Sequence, residues 1–104
     1  MISQEGNSPD RKIRHLRITK SEDLIRIHHF GVERFGIVQA DKYFNSFFVQ
    51  FDIIAQRPFS FESVDYIRNG YRRCVCGSDS IYFRFYENEI EIMSIIGRQD
   101  LNRI

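Results

Sequence analysis

Residues 70–96 read GYRRCVCGSDSIYFRFYENEIEIMSII. Runs rich in aromatic and β-branched residues are separated by turn formers, Gly77-Ser78-Asp79 and then Glu87-Asn88. Connections this short join antiparallel neighbours, so the spacing predicts a three-stranded meander over 71–76, 81–86 and 89–96. Alternation places Arg72, Cys74 and Cys76 on one face, and Tyr71, Arg73 and Val75 on the other. Arg84 shares a face with Tyr82 and Tyr86. In the last strand Ile90, Ile92, Ser94 and Ile96 share one face, and Glu91, Met93 and Ile95 the other. Arginines among aromatics suit base stacking, and they equally suit cross-strand pairing on a solvated sheet face. The pattern leaves both open.

Working back from the meander, 59–69 (FSFESVDYIRN) has no sustained period and reads as a loop anchored by Phe59, Phe61 and Ile67. Arg57-Pro58 ends the segment before it, because a residue preceding proline avoids the helical region. From about Val38 to Gln56, Ala40, Tyr43, Phe44, Phe47, Phe48, Phe51, Ile54 and Ala55 draw a wide apolar stripe at helical spacing. A helix before it carries Leu24, Ile27, His28, Gly31 and Phe35, with Thr19-Lys20-Ser21-Glu22 as a capping box and Gly36 as the stop. Only Gly36 and Ile37 separate the two, which predicts an antiparallel helical hairpin. Earlier still, Arg11–Lys20 holds six Arg, Lys or His in ten residues. Leu16 and Ile18 mark one face of an edge strand there, whose cationic side meets water, nucleic acid or an acidic partner. Residues 1–10 are polar and read as a flexible lead-in to one domain over 11–104. The fold expected is α+β, in the order β-α-α-β-β-β, with the hairpin packed on one sheet face.

At 104 residues, 42% hydrophobic, with ten Phe and five Tyr, the chain can bury a core without staples. The formal net charge of +1 gives no global field for nucleic acid. The start, MISQEGNSPDRK, lacks the apolar run of a signal peptide, and no stretch is long enough to span a bilayer, so a cytoplasmic protein is expected. Cys74 and Cys76 form a lone C-x-C far from His15, His28 and His29. Free structural thiols are expected, with no metal and no cofactor.

Acid–base chemistry needs a group that gives a proton and one that takes it. Residues 70–104 contain neither histidine nor lysine, and arginine is a poor proton shuttle. The residues read as a binding protein, and no catalytic residue is assigned.

Several ordered cues carry a resemblance. They are Asp23-Leu24 with Ile27, Phe35-Gly36, Gln39-Ala40 with Tyr43, Pro58, Gly70-Tyr71-Arg72 and Gly97-Arg98-Gln99-Asp100. Together they resemble the RelE/ParE toxin superfamily, and its ParE branch more closely, over roughly residues 13–101. The resemblance implies a helical hairpin on a small antiparallel sheet. It implies the toxin half of a bacterial type II toxin–antitoxin pair, directed at DNA gyrase and neutralised by a cognate antitoxin. A ribosome-dependent mRNA endonuclease of the RelE type, or a non-toxic binding module of the same fold, is the alternative. Ser94 and Gly97 stand where many ParE-like sequences carry arginine and histidine. An acidic antitoxin, partly disordered when free, would meet Arg14, Arg17, Arg72, Arg73 and Arg84, with Arg11 and Lys12 nearby. Arg98, Gln99 and Asp100 are the residues expected to touch the target.

Overall fold

The computed structural model describes residues 14–97. The lead-in, Arg11, Lys12, and the residues expected to touch the target, Arg98, Gln99 and Asp100, lie outside the described residues. Strand β1 (His15–Ile18) leads into helices α1 (Ser21–Phe35) and α2 (Ile37–Gln56). A 3-10 turn, Pro58–Ser60, precedes β2 (Glu62–Ser63), β3 (Tyr71–Cys76), β4 (Asp79–Tyr86) and β5 (Glu89–Gly97). The sheet order is β1-β5-β4-β3-β2. The meander β3-β4-β5 is antiparallel as expected, whereas β1 runs parallel to β5, so the sheet is mixed. The hairpin supplies the long crossover that a parallel pair requires. The two-residue β2, inside the segment read as a loop, pairs Glu62 with Arg73 and Ser63 with Arg72.

The hairpin needs a single linking residue. Gly36 adopts φ 90°, and its N–H donates to the Val32 carbonyl at 3.0 Å, closing α1. The helices meet closely beyond it. A Cβ on Gly31 would stand 3.2 Å from that of Ala40. Leu24 and Ile27 of α1, with Phe47, Phe51 and Ile54 of α2, pack on Cys74, Cys76, Ile81, Phe83, Ile90, Ile92 and Ile95. Leu16 and Ile18 join this core from β1. Two expected stripe members sit elsewhere, with Phe35 66% and Phe48 41% exposed. Phe61 and Ile67 anchor their loop, but Phe59 is largely exposed.

Two local expectations fail for identifiable reasons. The capping box does not form: α1 starts after Lys20, and no side chain caps it. Thr19 directly follows the strand and is still tied to β5, its N–H donating to the Ile92 carbonyl at 2.9 Å. The face assignment of the last strand also breaks. The β4–β5 register slips at Tyr82/Phe83, where Tyr82 opposes Ser94 and Phe83 opposes Ile92. Met93 is thus an extra residue, and the alternation reverses beyond it. Ile95 enters the main core, while Ile96 joins Val64 and Tyr82 in a smaller cluster on the face that no helix of the described residues covers, the helix-free face below.

Among the described residues β5 has no strand partner on the β1 side beyond Ile92, because β1 ends at Ile18 opposite it. Side chains of α1 take over there. The Ile95 N–H donates to Asp23 Oδ2 at 3.0 Å, and Arg26 donates to the Ile95 carbonyl at 2.9 Å. Buried Asp23 is thereby satisfied, and α1 is fixed to the sheet.

Because Thr19 caps nothing, Thr19→Ala should change unfolding free energy by less than about 0.5 kcal/mol, the level of an ordinary surface change. A capping threonine would cost about 1 kcal/mol. Urea denaturation distinguishes the two.

Candidate partner-binding surface

Strand alternation and the bulge sort the five sheet and edge arginines onto two faces. On the helix-free face, Arg17 of β1, Glu91 of β5 and Arg84 of β4 stand directly opposite one another. Arg17 donates to Glu91 Oε2 at 2.5 Å, and Arg84 donates to Glu91 Oε1 at 2.6 Å. Glu89 adds a second carboxylate 3.5 Å from Arg17. Glu91 is 7% exposed, and the hydrogen bonds from Arg84 and then Arg17 hold its carboxyl below the usual range. The same bonds raise both guanidinium pKa values. Arg84 also stacks over Tyr86, 4.6 Å from the ring centroid. Tyr82 is buried, so the row is not an open stacking platform. Arg73 donates to Ser80 Oγ at 3.0 Å and lies 3.5 Å from Glu62.

Arg14 and Arg72 sit together on the other side. Arg72 donates to the Phe61 carbonyl at 2.7 Å and lies over the Phe59 ring. Arg14 donates to the carbonyls of Ala55 and Gln56, at 3.3 and 3.2 Å, and lies over Phe85. Phe59 and Phe85 meet edge to face, 5.4 Å between centroids. Arg14 thus caps the negative C-terminal end of α2. The five arginines do not form one continuous patch.

A larger feature opens between the hairpin and the β3–β4 turn. It is a cleft of about 610 Å³ with Ile27, Phe30, Phe35 and Ala40 on its apolar wall. Arg26, Lys42 and Asp79 bring charge to it. Gly97, from which Arg98 continues, also lines it. Phe30, Phe35, Ile37 and Val38 at the hairpin tip are all at least half exposed.

Tyr43 fastens the cleft to the sheet. Its hydroxyl lies 2.7 Å from Asp79 Oδ2 and 2.8 Å from the Cys76 carbonyl oxygen, and it accepts the Ser78 N–H at 3.2 Å. Burial, then the bond to Asp79, pushes the phenol up to about 12. Gly77, at φ 62°, admits this approach, since a Cβ there would lie 2.5 Å from the Tyr43 ring. The sequence placed Tyr43 in an apolar stripe and among the cues of the resemblance, and Asp79 only in a turn. Tyrosine amid a phenylalanine stripe, facing a Gly-Ser-Asp turn, was the available signal.

Cys74 and Cys76 are free and buried, as expected. Burial pushes the Cys74 thiol up to about 11 and raises that of Cys76. Cys74 Sγ donates to Gln50 Oε1 at 3.2 Å. Among the described residues no three His, Cys, Asp or Glu side chains gather as a metal set, and no helix is long and apolar enough to cross a membrane.

No protein-family model matches the chain. It is 32% identical over 62 residues to Toxin ParE1 of Caulobacter vibrioides, a match covering 60% of this chain and 65% of that protein. The match therefore spans just under two thirds of the curated relative's length. The structure is similar to one from the chromosomal ParDE toxin–antitoxin system of P. aeruginosa, with TM-score 0.73 and 22% identity over 82% of this chain and 96% of that one.

The chain is ParE-like in sequence and in fold. Within this fold Tyr43 joins the hairpin to the meander beneath it.

Two measurements probe this arrangement. Tyr43→Phe leaves Asp79 and the Ser78 N–H without their partner and should cost about 1–2 kcal/mol. Gly77→Ala drives a methyl into the ring at a positive φ and should cost about 2 kcal/mol or more. Denaturant midpoints give both. For Glu91, the folded pKa lies below the ordinary value of 4.5. Its stabilisation is therefore complete above that value and is lost as pH falls through the folded pKa. Glu91→Gln should flatten that acid limb in pH-dependent melting; an unchanged limb would assign it to other carboxylates.

Proposed function

We propose that the chain is the toxin of a type II toxin–antitoxin pair, acting in the bacterial cytoplasm. It binds DNA gyrase, stabilises the cleaved-DNA complex, and is silenced by a cognate antitoxin. The observation that carries this reading is the exposed apolar tip, Phe30, Phe35, Ile37 and Val38, beside a cleft in a ParE-like fold. Apolar groups that the core leaves out favour a protein partner. Arg26 and Lys42 at the cleft suit an acidic, partly disordered antitoxin that orders on binding. Arg17, Arg73 and Arg84 each stand within ion-pair distance of a carboxylate. That favours structural roles over cleavage of an RNA phosphate.

The test is a gyrase assay with the purified chain. Supercoiling should fall while linear DNA accumulates, and the antitoxin encoded beside this gene should reverse both. Phe35→Ser with Val38→Ser should weaken inhibition about tenfold or more, as expected for losing central apolar contacts, with an unchanged melting temperature. Normal gyrase activity at large toxin excess overturns the gyrase target. Cut mRNA in a translating extract would then establish the RelE-type alternative, and neither effect would leave a non-toxic binding module.

A further inference from the structure

A second, smaller pocket lies on the helix-free face, where the β1–α1 junction meets the loop before β3. Its volume is about 160 Å³, room for about five waters at 30 Å³ each. Thr19, Tyr71 and Ser94, which carry hydroxyls, and Lys20 and Arg68, which carry positive charge, are among the residues that line it. Among the described residues Arg17, Arg26, Arg73 and Arg84 each have a carboxylate within 4 Å, while Lys20 and Arg68 have none. Among the described residues, two cations without a carboxylate within ion-pair distance therefore line this pocket, while Arg17, Arg73 and Arg84 of the sheet are paired.

The one carboxylate lining the pocket is Asp23. It is 6% exposed, accepts the Ile95 N–H and stands 3.6 Å from Arg26, so its charge is already offset. Lys20 immediately precedes α1, whose first amides add partial positive charge. Arg68 is held in place by its loop. The Val64 N–H donates to the Tyr71 carbonyl at 2.8 Å, that of Ile67 to Val64 at 2.8 Å, and that of Tyr71 to Arg68 at 3.1 Å. Ile67 packs in the smaller apolar cluster beneath. The loop backbone is thus ordered before any ligand arrives, which lowers the entropic cost of binding.

We infer that this pocket is an oxyanion site for one phosphate group, free or carried by a nucleic-acid strand. Lys20 supplies a point charge, Arg68 a planar donor pair, and the three hydroxyls complete the hydrogen bonding. The site does not rest on the toxin reading.

Amide NMR titration of the full chain tests it, with inorganic phosphate in one arm and a short single-stranded oligonucleotide in the other. Saturable shifts at Thr19, Lys20, Arg68, Tyr71 and Ser94 are expected. Lys20→Ala and Arg68→Ala should each weaken binding about tenfold, the loss of one charge-assisted hydrogen bond. Arg17→Ala removes the same charge from a paired position and should change binding less than about twofold. All three side chains are on exposed residues, and an unchanged spectrum around Phe47 and Ile54 verifies the fold. Tighter oligonucleotide binding at the same amides identifies a strand phosphate; saturation by inorganic phosphate alone identifies a free one. Shifts that never saturate, an equal loss on Arg17→Ala, or oligonucleotide binding that leaves these amides unmoved would overturn the site.

Discussion

The backbone of Ile95 is the point on which the architecture turns. β5 is paired with β4 throughout, but its other edge loses β1 after Ile92. A buried strand edge with unpaired amides is costly, and here Asp23 and Arg26 satisfy both polar groups of one residue. Both lie in the first two turns of α1, so satisfying the edge also fixes where the helix starts. The single-residue link at Gly36 then dictates where α2 returns. The large cleft lies between the hairpin and the β3–β4 turn, with Gly97 among the residues that line it.

The Met93 bulge makes this possible. Without it, Ile95 would face away from the helices and Ile96 would face toward them. The extra residue rephases the strand, so Ile90, Ile92 and Ile95 all reach the main core. It also turns Ser94 and Ile96 toward the helix-free face, where the smaller cluster and the phosphate pocket are built. One inserted residue thus gives each face of the sheet its own apolar core.

Element identity was legible because helix and strand periods are long and regular here. The phenylalanine-rich stripe of α2 and the Gly36 break marked the hairpin, and the two turn signals marked the meander. What escaped were events of a single residue. The bulge has no signature in EIEIMSII, since both phases present isoleucine. The failure of the Thr19 cap depends on a pairing with Ile92, far away in sequence. Glu91 looked like one acid among several, yet it joins two arginines from strands that flank it on either side. The parallel pairing of β1 likewise depends on tertiary contacts that no local pattern encodes. Of the site, the sequence named the arginines but could not sort them by face. It missed the Tyr43–Asp79 contact because that contact joins a helix to a turn.

Sorting the arginines by face answers the problem posed by their crowding on neighbouring strands. Each sits where a carboxylate, a carbonyl or an aromatic ring can hold it. Such arrangements keep a flat, cation-rich sheet from repelling itself, and they fix strand register because Arg17, Glu91 and Arg84 meet in only one alignment. A single-residue slip would turn Glu91 into the apolar core and strand both arginines. The ladder therefore specifies the sheet more than it strengthens it. That leaves recognition to groups the core does not claim: the apolar residues at the hairpin tip, and the cations Lys20 and Arg68 that no carboxylate among the described residues holds.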